Sequence, residues 1–261
     1  MPKLIYKYMT FNMNALSILI NGSLFMAPPD KLNDPFEGEF ILNGLNEMPN
    51  ELYLKNHNFP LDIDFDDLKS RLKDRLKKHI HEDFGVTCFS KKKDNLLMWS
   101  HYADAHKGIC IVFDAEKLVK SINSNYIEAK LEPITYSKKF PVIDIKPSDT
   151  SNVYIRRENA FLFKLNQWKY ENEVRLHYKI PENFKTRNIV FDYNAIVGII
   201  EGEKFTKEHK TLLANILKSN SNLSHIKWYK AKSNLLTKKM KIEHFGGYFI
   251  PRKITITKTE N

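Results

Sequence analysis

Asn95-Leu96-Leu97-Met98-Trp99-Ser100-His101-Tyr102-Ala103-Asp104-Ala105-His106-Lys107-Gly108-Ile109-Cys110-Ile111-Val112-Phe113 sets two kinds of apolar pattern side by side. Asn95 to His106 reads as a helix, ended by Gly108, and Ile109–Phe113 as a short strand with an unbroken apolar run. The same pairing of short strand and short helix continues outward. Upstream, Val86–Phe89 is a strand, and residues 64–84 are the clearest helix, with Phe65, Leu68, Leu72, Leu76, Ile80 and Phe84 in one stripe. Residues 43–63 read as irregular. Nearer the start, residues 4–8 form a strand and Phe11-Asn12-Met13-Asn14 opens a helix closed by Asn21-Gly22. Leu24–Ala27 is a strand stopped by Pro28-Pro29, and Asn33–Gly38 is a polar loop.

Downstream, residues 121–160 alternate short β-rich pieces with turns, and Val174–Tyr178 alternates like a half-buried strand. The tail gives a strand (Ala195–Ile200), a helix (Lys207–Lys218, capped by Thr206), a strand (Ile226–Tyr229) and a last β segment at Ile254–Ile256. No repeat or linker divides the chain. The expected fold is α+β: one domain over 1–261, with split, mostly antiparallel β-sheets flanked by helices and a helical insertion near 43–84.

The 261 residues are 42% hydrophobic and 28% charged, which excludes collagen-like and wholly disordered chains. No apolar run reaches the roughly 18 uncharged residues of a membrane helix. Met1-Pro2-Lys3-Leu4 leads straight into a strand without a signal-peptide core. Two cysteines, Cys88 and Cys110, are too few for a disulfide framework; on apolar strands they read as buried thiols. The expectation is a soluble cytoplasmic protein with no membrane partner. The net charge of +10 permits a nucleic-acid partner without demanding one.

His79, His81, His101 and His106 lack the spacing of a metal site, so no metal is expected. Neither a Rossmann glycine turn, a P-loop nor a serine-hydrolase elbow is present. Three segments remain dense in polar and aromatic groups. In Tyr6-Lys7-Tyr8 a strand puts the phenols on one face and the lysine on the other. The bland alternative is an edge strand with its lysine in solvent. In Asp94–Asp104 a helix groups Leu97, His101 and Asp104 on one side and Asn95, Trp99 and Tyr102 on another. Trp99, His101 and Tyr102 suit stacking on a base or a nicotinamide ring, and a core helix with a polar rim explains much of the same pattern. In Trp168–Leu176 a strand would put Glu171, Glu173 and Arg175 on one face, either as a surface ion-pair ladder or as an oriented catalytic carboxylate.

These segments, in order, resemble a bacterial family known as domain of unknown function 2971. The resemblance rests on Tyr6-Lys7-Tyr8, Leu24-Phe25, Asn33-Asp34-Pro35-Phe36-Glu37, Cys88-Phe89-Ser90, Trp99–Asp104, His106-Lys107-Gly108 and Trp168–Arg175. More distantly, Ile5–Thr10 with Leu16–Leu24, and Trp99–Asp114, are similar to DNA-targeting ADP-ribosyltransferase toxins and RNA 2′-phosphotransferases. Lys7 stands where those enzymes usually carry histidine. That likeness implies an ADP-ribosyltransferase-like fold with NAD as substrate. Glu173 would be the late glutamate that steadies an oxocarbenium-like transition state, with Glu171 and Arg175 beside it. It places Lys7, Tyr8, Asn33, Asp34, Trp99, His101 and Tyr102 around the NAD. The implied function is an NAD-dependent ADP-ribosyltransferase-like toxin or phage-defence effector acting on a nucleic acid or protein. The alternatives are a non-enzymatic, basic nucleic-acid-binding module and a structural or partner-binding protein.

Overall fold

A computed structural model describes residues 2–43, 65–125, 128–144, 157–181 and 186–244. The first elements are β1 (Leu4–Met9), α1 (Met13–Asn21), β2 (Ser23–Phe25), β3 (Ile41–Asn43), α2 (Phe65–Asp83), β4 (Phe84–Ser90) and α3 (Leu96–His101). Next come β5 (Ile109–Asp114), α4 (Ala115–Asn123), β6 (Lys130–Pro133), β7 (Thr135–Ser137), β8 (Val142–Asp144), β9 (Phe163–Leu165) and β10 (Glu173–Lys179). The series closes with β11 (Asn188–Val190), β12 (Ile196–Glu201), α5 (Lys207–Ser219), β13 (Lys227–Asn234) and β14 (Lys239–His244).

The apolar run Ile109–Phe113 explains the centre of the fold. A strand covered on both faces needs no polar alternation, and Ile109, Cys110, Ile111 and Phe113 are all fully buried. Around β5 an eight-stranded sheet runs β14-β13-β12-β5-β1-β4-β10-β6. Its pairings are antiparallel except for the parallel β12–β13 pair. Ile5, Ile111 and Phe113 pack with Ala15, Ile18 and Leu19 of α1, Leu118 and Ile122 of α4, and Leu213 and Ile216 of α5 in one core. A second core joins Leu76 and Ile80 of α2 to Phe84, Val86 and Phe161, and a third surrounds Trp99.

Local chemistry sets the helix ends as the residues suggest. The Asn12 side chain accepts from the Asn14 and Ala15 amides, and Gly22 ends α1 at φ +58°. The Thr206 hydroxyl accepts from the His209 amide at the start of α5.

Several expectations need correction. The helix expected over Asn95–His106 stops at His101. Asp104, Ala105 and His106 then take φ of 47°, 48° and 72°. The chain must fold back sharply there, because the Gly108 amide bonds Ala103 O at 2.8 Å. Asp104 therefore does not share a helical face with Leu97 and His101. Glu171 is not on a strand: Asn166–Glu171 is a 3-10 helix, Asn172 is left-handed at φ 47°, and β10 begins at Glu173. Phe84 opens β4 instead of ending α2. Helix α4 and strand β14 carry weaker sequence signals and were not anticipated. The irregular stretch, apart from its first residue, the side chains of Phe65, Leu68 and Leu72, and the segment Ile254–Ile256 lie outside the described residues.

Candidate ligand-binding cleft

Strands β1 and β5 pair residue for residue from Leu4↔Asp114 to Met9↔Ile109, whereas β1 and β4 meet only at Tyr6↔Ser90. Beyond that point the central sheet parts. Lys7 crosses the gap, its Nζ 2.8 Å from Thr87 Oγ1 and 3.3 Å from Cys88 O. The ammonium also lies 5.3 Å from the centroid of the Phe89 ring. Burial lowers the Lys7 pKa, and the neighbouring Cys88 and Glu173 oppose that shift.

Two cavities open on the gap. One, about 220 Å³, is lined by Tyr6, Asn33, Tyr102, Lys164, Glu171 and Glu173 among others. The other, about 240 Å³, is lined by Asn14, Ser17, Ser23, Thr87 and Asn188 among others. Lys7, Tyr8, Leu32 and Cys88 line both.

Behind the first cavity sits a buried ionic cluster. Strand alternation puts Glu173 and Arg175 on one face of β10, and Arg175 Nε reaches Glu173 Oε1 at 2.6 Å. The rest of the guanidinium grips Glu37 bidentately, at 2.5 and 2.9 Å, and donates to Phe161 O. Lys164 Nζ lies 2.7 Å from Glu171 Oε2 and 3.0 Å from Glu173 Oε2. Tyr102 donates its hydroxyl hydrogen to Glu171 and receives a bond from Asn33 Nδ2 at 2.5 Å. The Glu173 amide donates to the Tyr136 hydroxyl at 2.8 Å.

Three carboxylates thus share two cations. Burial opposes ionisation of Glu173, but the charges of Arg175 and Lys164 and the bonds from Arg175 and Cys88 outweigh it. Its pKa is held well below the usual carboxylate range. Glu171 goes the other way: burial and the negative charge of Glu173 raise its pKa against the pull of Lys164. Burial also raises Glu37 despite its pairing with Arg175. Burial and the Glu171 carboxylate together raise the Tyr102 phenol, keeping it a donor. Burial pushes the Cys88 thiol up as well.

Lys7, Tyr8, Asn33, Tyr102, Glu171 and Glu173 thus come together on one cavity, and Arg175 supports it from behind. The edge-strand reading of Lys7 is overturned, since β1 is central. So is the surface-ladder reading of Glu171, Glu173 and Arg175, which are 2%, 3% and 0% exposed. Three expected contacts fall elsewhere. Trp99 is fully buried, edge-on to Tyr8 at 5.1 Å, with its indole N–H donated to Lys93 O, so it offers no free face for stacking. The Asp34 carboxylate closes its own loop by accepting from the Phe36 amide at 2.9 Å. His101 is exposed, with Nδ1 3.0 Å from the Tyr170 hydroxyl. Lys164 and Glu37 went unnoticed as site residues. The signal for Lys164 was a lysine between apolar neighbours, Phe163 and Leu165; Glu37 lay in the loop already quoted for the family likeness.

Fold and site together define an α+β protein with a buried acid–base cluster at the floor of a parted central sheet. Residues 98–176 match the family model described as a protein of unknown function, DUF2971. That stretch carries Tyr102, Lys164, Glu171, Glu173 and Arg175, while Lys7, Asn33 and Glu37 lie before it. Searches of curated proteins and of solved structures give no match. Among the described residues no helix is long and apolar enough to cross a membrane. No three His, Cys, Asp or Glu side chains among them form a metal-ligand group.

Proposed function

We propose that the parted strands hold NAD and that the protein is an ADP-ribosyltransferase-like enzyme acting on the N-glycosidic bond. The observation that carries this reading is the register Tyr6↔Ser90↔Glu173, which brings β1 and the start of β10 to one cavity. A cation, Lys7, and a carboxylate pair, Glu171 and Glu173, then face one small space, suited to a ligand with phosphates at one end and a developing positive charge at the other. The bond from ribose C1′ to the pyridinium nitrogen breaks with its electron pair passing to nicotinamide. The oxocarbenium-like ribosyl group left behind gains from negative charge in a site shielded from water. Attack at C1′ by an acceptor hydroxyl or amine, or by water, releases one proton and completes the transfer. The acceptor class, nucleic acid or protein, and a role in toxicity or phage defence rest on the resemblance alone.

One observation favours a second reading, a nucleic-acid-binding module without catalysis. Both oxygens of Glu173 are already engaged by cations, which cancels much of the charge a transition state would use. Nicotinamide release from NAD, followed with DNA, RNA and protein acceptors in turn, separates the two. Release that disappears in Glu171→Gln supports the enzyme; wild-type protein inert with every acceptor supports the module.

A further inference from the structure

A third cavity, about 940 Å³, lies away from the cleft and shares no lining residue with either of its chambers. Its volume is within the range of ordinary ligand sites. One wall is the face of α4 carrying Lys117, Lys120 and Ser121, which the helical repeat stacks along one side, continued by Ser124 just past the helix end. The rest of the lining includes Tyr193 and Asn194 together with Ser221, Asn222, Ser224 and His225. We infer that this groove binds a single-stranded nucleic acid, with Lys117 and Lys120 on its phosphates and Tyr193 against a base.

The charge of the groove points to an anion. Lys117 and Lys120 are exposed, and neither has an acidic partner among the described residues. The one acid lining the groove, Asp192, uses Oδ1 to accept the Asn194 amide at 2.8 Å. The hydrogen-bonding pattern points to a strand with both phosphates and bases. Ser121 and Ser124 spend their hydroxyl hydrogens on Leu118 O and Ser121 O, at 2.9 and 2.7 Å, and so present lone pairs to the groove. Elsewhere in the lining the Ser221 and Ser224 hydroxyls and the Asn222 side-chain amide have no such internal acceptor among the described residues. The groove therefore offers both donors and acceptors beside its lysines. Tyr193 is half-buried, pinned by its hydroxyl bond to Ile20 O at 2.5 Å. A ring fixed beside lysines is the usual platform for an unstacked base, which is why a single strand fits better than a duplex. None of this depends on the chemistry of the cleft.

The test is fluorescence anisotropy with a labelled oligodeoxythymidylate and an RNA of equal length, titrated at several salt concentrations. The wild type is expected to bind in dilute buffer. Lys117→Ala/Lys120→Ala should reduce the log-affinity against log-salt slope by about 0.7 for each lost phosphate contact. Tyr193→Ala should weaken binding at least fivefold without changing that slope. All these side chains lie at the surface of the groove, and thermal melts would confirm that the variants fold. Absence of binding by the wild type overturns the proposal. So does unchanged binding in the double variant, or an equal loss when Lys238 and Lys239 on the distant β13–β14 hairpin are replaced instead. Inorganic polyphosphate that competes as well as the oligonucleotide would also overturn it, because a base would then contribute nothing.

Discussion

Lys7 of β1 and Thr87 of β4 face each other across the parted sheet, the ammonium 2.8 Å from the threonine hydroxyl oxygen. A lysine thus does between these strands what a backbone ladder does elsewhere, but with a charged group that lines both cavities. Lys7→Met keeps the apolar stem and removes the charge. The expected result is a loss of NAD affinity of at least tenfold by calorimetry, about 1.4 kcal/mol. Stability should change by no more than about 1.5 kcal/mol, because relief from burying the ammonium offsets the lost hydrogen bonds. Undiminished affinity would remove Lys7 from the ligand site.

Glu173→Gln should be costly to the fold itself. Removing the charge leaves Arg175 and Lys164 buried with one carboxylate fewer, and breaking such a buried pair costs about 3–5 kcal/mol. Urea denaturation at pH 7 measures it. A change below about 1 kcal/mol, the range of surface ion pairs, would show that the cluster is not an electrostatic unit.

The cluster also predicts a particular dependence on pH. Glu173 titrates lower in the fold than when unfolded, so its contribution is complete above the unfolded value of about 4.3 and fades as pH falls below it. Glu171 and Glu37 titrate higher in the fold, so their contribution is complete below about 4.3 and is lost as pH rises through their folded values. Glu171→Gln removes one of those rising-pH losses. Its stability relative to wild type should therefore improve as pH rises above about 4.3 and level off once the folded Glu171 has ionised, read from thermal melts at fixed ionic strength. A difference that stays flat with pH would contradict the raised Glu171.

Two substitutions test the turn after α3. Ala105 holds φ at 48°, where a side chain is disfavoured by about 1–2 kcal/mol, so Ala105→Gly should stabilise the protein by up to that amount. Gly108→Ala should do the opposite. A Cβ there would lie 2.3 Å from Met9 O and 2.9 Å from Ala103 C, both backbone atoms that cannot swing aside. A loss of about 1–3 kcal/mol or more is expected in the same melts.

The parts of this architecture that residues announce locally were legible in the sequence. The unbroken Ile109–Phe113 run, the Asn21-Gly22 stop and the Thr206 cap each depend on neighbours within a few positions. The convergence of Tyr6-Lys7-Tyr8 with Glu173 is a long-range relationship, expected from family likeness and not from any spacing. What stayed hidden depends on distant partners. Nothing near Glu37 reveals that Arg175 will grip it, and nothing near Trp99 says that its indole will be spent on Lys93. The helix ending at His101 was hidden for a related reason: residues 102–106 look helical, but closure against Met9 needs three left-handed residues, a tertiary demand that overrides local preference.

The long reach of the β1 pairings has a consequence for how the chain acquires its shape. Leu4–Met9 pairs with Ile109–Asp114 along its full length and touches β4 at one residue pair. The strand at the middle of the sheet therefore must wait for a partner far along the chain, and loop-closure entropy makes such pairing slow. The β4–β10 ladder closes a stretch of chain of comparable length, from Ser90↔Glu173 to Phe84↔Lys179. Both sides of the cleft therefore rest on distant pairings, and the cleft exists only once both have formed.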